Sequence, residues 1–240
     1  NIRQATQEGT FAAAEKYLPE LKAMGVDIVW LMPISPIGVD GRKGTLGSYY
    51  SIIDYKEINP EFGTMEDFDH FLATAHDLGL KVIIDWVANH TSRDANWWKE
   101  GKKDWYVMDE ATGLPIVEYD WTDIAKLNYE NQDMRLAMID ALKFWVEMGV
   151  DGYRCDVAMN VPGSFWAEAW KQVREINPDV YLLAEGEEQW LHEAGFEATY
   201  AWELHHIFNA MAKGGSETKN VAGDGTIKTD AKTVKDLKEY

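Results

Sequence analysis

The chain has 240 residues, with 41 acidic against 23 basic side chains, a formal net charge of −18 and a pI near 4.6. That length suffices for one large domain with a sizeable core. So acidic a surface argues against nucleic acid and anionic membrane as partners and suits a neutral substrate, and no apolar window is long enough to span a bilayer.

Taken in order, residues 10 to 24 read as a helix. Thr10 is its N-cap, Phe11, Ala14, Tyr17, Leu18 and Leu21 share one face, and Gly25 ends it. Val26 to Met32 is a strand, stopped by Pro33-Ile-Ser-Pro36, and residues 37 to 62 are a long loop. Thr64 then caps a helix carrying Phe68, Phe71, Leu72 and Leu78, which stops at Gly79 before a strand that begins at Leu80. Residues 91 to 131 show no sustained period but hold Trp97, Trp98, Trp105, Tyr106 and Trp121, too many aromatics for disorder. An amphipathic helix over 135–148 turns Met138, Leu142, Trp145 and Val146 inward. A strand over 150–157, a helix over 164–177 and a strand over 180–187 follow. Residues 195–202 read as a further strand, 204–211 as a helix, and the segment from Lys213 as a loop or lid.

The strand over 150–157 ends in charges. Side chains alternate along a strand, so Arg154 and Asp156 point one way while Tyr153 and Cys155 point the other. An Arg-x-Asp of this kind is either a structural ion pair or a carboxylate kept ionised for attack. The next strand ends in Glu185, and a strand–helix–parallel strand unit sets the two carboxylates at one sheet edge. Neighbouring strands lie about 4.8 Å apart, close to the separation of about 5 to 5.5 Å between the two acids of a retaining glycosidase. With Arg154 two residues away, Asp156 is expected to stay charged. Glu185, after Leu182-Leu183-Ala184 and with further acids behind it, is expected to be pushed towards holding a proton. Glu187 and Glu188 are rivals by proximity, but alternation sends Glu188 away. The eleven Trp and eleven Tyr also suit a sugar, since pyranose rings stack on flat aromatic faces, although at least half are expected in the core. The single cysteine, Cys155, has no internal disulfide partner, and because the chain opens on Asn1 rather than Met the lack of a leader is uninformative.

Asp85-Trp-Val-Ala-Asn-His90, Gly152-Tyr-Arg-Cys-Asp156 and Leu183-Ala-Glu185, in this order and spacing, resemble three of the four short motifs of the α-amylase family of glycoside hydrolases. Ser48-Tyr-Tyr50-Ser-Ile-Ile-Asp54-Tyr55 and Asn59-Pro-Glu-Phe-Gly-Thr64 are similar to it as well. The resemblance implies an α/β fold, a (β/α)8 TIM barrel, of which this chain covers roughly five strand–helix units, family strands two to six. The first part of the barrel would be residues 1–90, a short inserted subdomain 91–131, and the second part 132–240, truncated before the last strands. The family's fourth motif, with its third carboxylate, has no match here, so the fragment itself is expected to be inactive, and a partial barrel leaves two open edges.

By the same resemblance Asp156 is the nucleophile and Glu185 the acid/base. Arg154 keeps Asp156 ionised and oriented, His90 hydrogen-bonds hydroxyls of the sugar being cleaved, and Tyr50 stacks below it. Asp85 is a structural anchor. Many members bind calcium with a ligand at the position of Asn89, which suits that ion. Where the family often has Pro-Asp-Leu-Asn, however, this chain has Ala125-Lys126-Leu127-Asn128, so an ammonium replaces a ligand carboxylate, and Met159 and Asn160 replace a lysine and a histidine. No metal or cofactor is therefore expected, and Lys126 is expected to meet Asn89 or backbone carbonyls between subdomain and barrel. The resulting expectation is a retaining hydrolase of α-glucans, cutting α-1,4 links internally in an oligo- or polysaccharide. The alternatives are an α-1,6-glucosidase or transglycosylase of the same family, or a non-catalytic sugar-binding relative. Localisation stays open, leaning extracytoplasmic.

Overall fold

Every apolar run expected as a strand joins one sheet in a computed structural model of the chain, which describes residues 1–213 and the backbone of Thr218–Val221 and Ile227–Asp230. A first compact unit is Asn1–Ala198 and a second starts at Thr199. In chain order the elements that carry the first unit are β1 (Ile28–Leu31), α1 (Met65–Asp77), β2 (Lys81–Trp86), α2 (Gln132–Glu147), β3 (Gly152–Cys155), α3 (Gly163–Ile176) and β4 (Tyr181–Ala184). The sheet runs β1-β2-β3-β4 and on to a two-residue strand, β5 (Ala198–Thr199). The pairs β1–β2, β2–β3 and β3–β4 are all parallel. Sequential parallel strands with a helix between partners make an arc of a β/α barrel, with all the carboxyl ends on one rim.

Local chemistry sets the helix ends. The Thr64 hydroxyl accepts from the Asp67 N–H while the Asp67 carboxylate accepts from the Thr64 N–H, a reciprocal cap that starts α1. The Asn131 side chain accepts from the Met134 N–H and starts α2 three residues before the expected boundary. Both helices bury an apolar stripe against the sheet: Phe68, Phe71, Leu72 and Ala75 from α1, and Met134, Met138, Leu142 and Trp145 from α2. Trp166 and Trp170 of α3 stack at 5.1 Å and face Phe196. Trp86, Trp105 and Trp145 are core residues too. Gly152 is forced by close approach, since a Cβ there would lie 2.0 Å from the Tyr181 carbonyl oxygen on the next strand. At the other edge Ile28 and Trp30 of β1 are about two-fifths exposed.

Several expectations are corrected. The helix over 10–24 breaks into Phe11–Ala14, a 3-10 turn Glu15–Tyr17 and Leu18–Ala23. Pro19 has no N–H to donate to the turn before it, so that turn tightens. Thr10 still caps its start. The excursion over 91–131 is not irregular throughout: His90–Ser92 pairs antiparallel with Ile124–Lys126, and Met108–Asp109 with Leu114–Pro115. Pieces of two and three residues are too short to leave a period. The strand over 195–202 shrinks to β5, and the helix over 204–211 is Trp202–Ala212. Within the segment from Lys213, expected as a loop or lid, Thr218–Val221 and Ile227–Asp230 pair antiparallel, and the rest of it lies outside the described residues. No helix among the described residues is long and apolar enough to cross a membrane.

Candidate active site

At the rim, β2, β3 and β4 bring three carboxylates to one guanidinium. Asp85, Arg154 and Leu183 stand in register across the three strands, so the Asp85 and Arg154 side chains leave the sheet side by side. Arg154 Nη1 donates to Asp85 Oδ1 at 3.0 Å and to Asp156 Oδ1 at 2.9 Å, while Nη2 donates to Glu185 Oε2 at 2.8 Å. The ladder runs one residue past each strand. The Asp156 N–H donates to Trp86 O at 2.9 Å and the Glu185 N–H to Cys155 O at 3.0 Å, which pins both acids at the strand ends. Behind Asp156 the chain turns through Val157 at φ 38°, a left-handed conformation that a β-branched residue adopts only under constraint. The turn delivers the Val157 N–H to Glu185 Oε2 at 2.8 Å. The Arg154 guanidinium also lies 5.2 Å over the Trp30 ring.

Charge in this cluster is set by burial as much as by pairing. The Asp85 side chain is fully buried, and desolvation raises its pKa to about 6 against the opposing pull of Arg154. Desolvation first, and then the charge of Asp85, raise Asp156 as well. Arg154 itself pulls Asp156 towards the charged form, by its charge and by its hydrogen bond. One guanidinium is divided among three acids, and burial outweighs the share that Asp156 receives.

Tyr50 donates its hydroxyl to Asp85 Oδ2 at 3.2 Å. Asp85 therefore anchors both Arg154 and Tyr50. His90 is 2% exposed, and burial lowers its pKa to about 4, so the ring is neutral. Its Nδ1 lies 3.2 Å from Asn89 Nδ2, its ring bonds the Tyr50 backbone, and Trp121 packs on it at 5.6 Å.

Tyr50, His90, Asp156 and Glu185 line a single open cavity of about 280 Å³, together with Lys43, Ser48, Trp121, Asp123, Ile124 and Val157. Arg154 and Asp85 lie behind these, bonded to the lining rather than part of it. Glu187 and Glu188 are exposed and outside the cavity, with Glu188 accepting from the Glu187 N–H. Sequence reasoning passed over Lys43 and Asp123, isolated polar residues without a pattern to mark them, whereas Ser48 opens a stretch quoted for its similarity to the family. Trp121 carried a signal, as one aromatic among several in the insertion.

The position at which the family resemblance implies calcium does not fit a cation. The Lys126 ammonium pairs with Glu118 Oε1, and Asn89 turns its Nδ2 to Glu118 Oε2. The contact expected between Lys126 and Asn89 therefore runs through Glu118.

The family described as Alpha amylase, catalytic domain, matches residues 4–239. The crystal structure of an α-amylase from Lactobacillus plantarum superposes with a TM-score of 0.84 at 39% identity, covering 89% of this chain and 54% of that one. An α-1,4-glucan:maltose-1-phosphate maltosyltransferase from Mycobacterium tuberculosis is 32% identical over 85% of this chain and 34% of its own length. A probable oligo-1,6-glucosidase from Bacillus subtilis is 34% identical over 60% of this chain and 30% of its own. The chain thus spans about a third of the length of these curated relatives.

Proposed function

Because the chain belongs to the α-amylase family of glycoside hydrolases and carries part of its (β/α)8 barrel, we propose that it supplies the nucleophile and the acid/base of a retaining enzyme that cleaves α-1,4 links within α-glucans. The observation that carries this reading is the bridging of Asp156 and Glu185 by two arms of one guanidinium at an open cavity. Asp156, in its ionised form, attacks the anomeric carbon as the glycosidic C–O bond breaks, and Glu185 gives its proton to the departing oxygen. Water then adds to the glycosyl-enzyme, losing a proton to Glu185 and releasing Asp156, so that two inversions leave the anomer retained. Arg154 orients both carboxylates, Tyr50 offers its ring to the sugar, and His90 offers its ring N–H to a hydroxyl. Asp85 holds Arg154 and Tyr50 in place.

The test is the configuration of the first product released from maltoheptaose by the full-length protein, followed by proton NMR. An α-anomer at early times, with Asp156→Asn and Glu185→Gln each lowering kcat by roughly 10³-fold or more, supports the assignment; a β-anomer refutes it. The similarity to a maltosyltransferase favours transfer as the second reading. Products from starch, pullulan and isomaltose, with and without maltose as acceptor, separate α-1,4 cleavage from α-1,6 cleavage and from transfer.

A further inference from the structure

Glu118 lies in the insertion and is not among the cavity-lining residues, yet it is the node of a chain of polar contacts that ends there. Its side chain is 15% exposed, and its Oε1 pairs with the Lys126 ammonium. Its Oε2 accepts from Nδ2 of Asn89, a residue only 1% exposed. The same Nδ2 lies 3.2 Å from His90 Nδ1. Lys126 is the register partner of His90 across the short antiparallel pair, so the chain closes on itself between the two strands that frame the insertion. The backbone adds a second link, since the Trp121 N–H donates to Glu118 O at 3.0 Å and the Trp121 ring packs on His90. Between them Tyr119 takes a left-handed φ of 52° and is 74% exposed, so the turn sends Glu118 inward and Tyr119 outward.

An amide nitrogen has two hydrogens and no lone pair to offer. With one hydrogen directed to Glu118 and the other to His90 Nδ1, that ring nitrogen must be the acceptor and the ring proton must sit on Nε2. Glu118 fixes this orientation: a carboxylate accepts only, so the Asn89 side chain cannot turn its oxygen that way without losing its partner. Lys126 in turn holds Glu118 in place.

We propose that Glu118, held by Lys126, is a positioning residue that acts through Asn89 to set the tautomer and orientation of His90 at the sugar cavity. Its effect on catalysis rests on the function proposed above, whereas its effect on the His90 ring does not. The experiment is therefore read first on the ring. In the full-length protein labelled with ¹⁵N-histidine, long-range ¹H–¹⁵N spectra, assigned to His90 by the signals missing from His90→Gln, should show a single Nε2–H tautomer. Glu118→Ala should convert this to a mixture of tautomers and lower kcat/KM on maltoheptaose on the order of tenfold, as loss of an outer partner does elsewhere. Glu118→Gln keeps an oxygen for Asn89 and should restore the single tautomer in part. Should Glu118→Ala fail to fold, Asn89→Ser leaves the Glu118–Lys126 pair intact while removing the amide, and it should give the same mixture. An unchanged Nε2–H signal in either folded variant overturns the proposal. A shifted tautomer in a protein that cleaves no α-glucan leaves the positioning role standing and removes the proposed function instead.

Discussion

Replacing Arg154 by alanine removes the guanidinium that bridges Asp85, Asp156 and Glu185, and the structure says how large the effect should be and how it should depend on pH. Arg154 is 4% exposed and its three partners lie at 2.8 to 3.0 Å. Breaking a buried pair by deleting one partner costs about 3 to 5 kcal/mol. These acids can, however, take up protons in place of a counter-ion. Even with Arg154 present, Asp85 has risen from 3.8 to about 6, which corresponds to about 3 kcal/mol between its two protonation states. An acid whose folded pKa lies above its unfolded value stabilises the fold fully below the unfolded value, and that contribution is lost as pH rises through the folded one. Without Arg154 the folded values climb further. The variant should accordingly lose about 3 to 5 kcal/mol at pH 8, a fall in Tm on the order of 10 °C, and markedly less at pH 5, where Asp85 and Asp156 hold protons. Turnover at pH 7 should fall by on the order of 10²-fold or more, and Arg154→Lys, with charge but no planar fork, should recover only part of it. Calorimetry at both pH values and kcat on the same full-length preparation provide the check. An equal loss of stability at pH 5 and pH 8, or a destabilised variant with normal turnover, would refute the reasoning.

Asp156 must be ionised to attack, so kcat/KM should rise with pH through its raised pKa of about 7. Asp85→Asn removes a charge that helps to raise it and should move this limb to lower pH in a pH–rate profile. His90, neutral in the fold down to about 4, gives stability that is present above its unfolded value near 6.5 and lost as pH falls towards 4, about 3 kcal/mol in all; His90→Gln should flatten that part of the Tm-against-pH curve. Gly152→Ala drives a Cβ into the Tyr181 carbonyl oxygen at 2.0 Å, so denaturant melts should show a loss of about 3 kcal/mol or more. Lys126→Asp sets a second carboxylate beside Glu118 and near the Asn89 amide, and millimolar calcium should raise the Tm of that variant but not of the unsubstituted protein.

Legible in the sequence were the features written in neighbouring residues. Thr10 and Thr64 announce helix starts through bonds to residues three positions on, and Gly79 ends α1 at φ 72°. Period-two alternation sets Arg154 and Asp156 on one side of β3, and the length of one helical crossover brings Glu185 to the next strand. Three motifs in order were enough to identify the family before any coordinate. Pro19 was legible too, and its break in the first helix was missed because the apolar stripe runs on across it. Other features depend on distances that no local spacing encodes. Arg154 is two residues from Asp156, which made the two read as a private pair, but its bonds to Asp85 and Glu185 cross 69 and 31 positions of chain and exist only because parallel strands place their ends on one rim. The burial that raises Asp85 and Asp156 is likewise a property of the packed rim. Glu118 had no sequence signal at all: its value comes from Lys126 and Asn89 arriving on either side of it, at the ends of strands of only three residues whose pairing is decided by the fold around them.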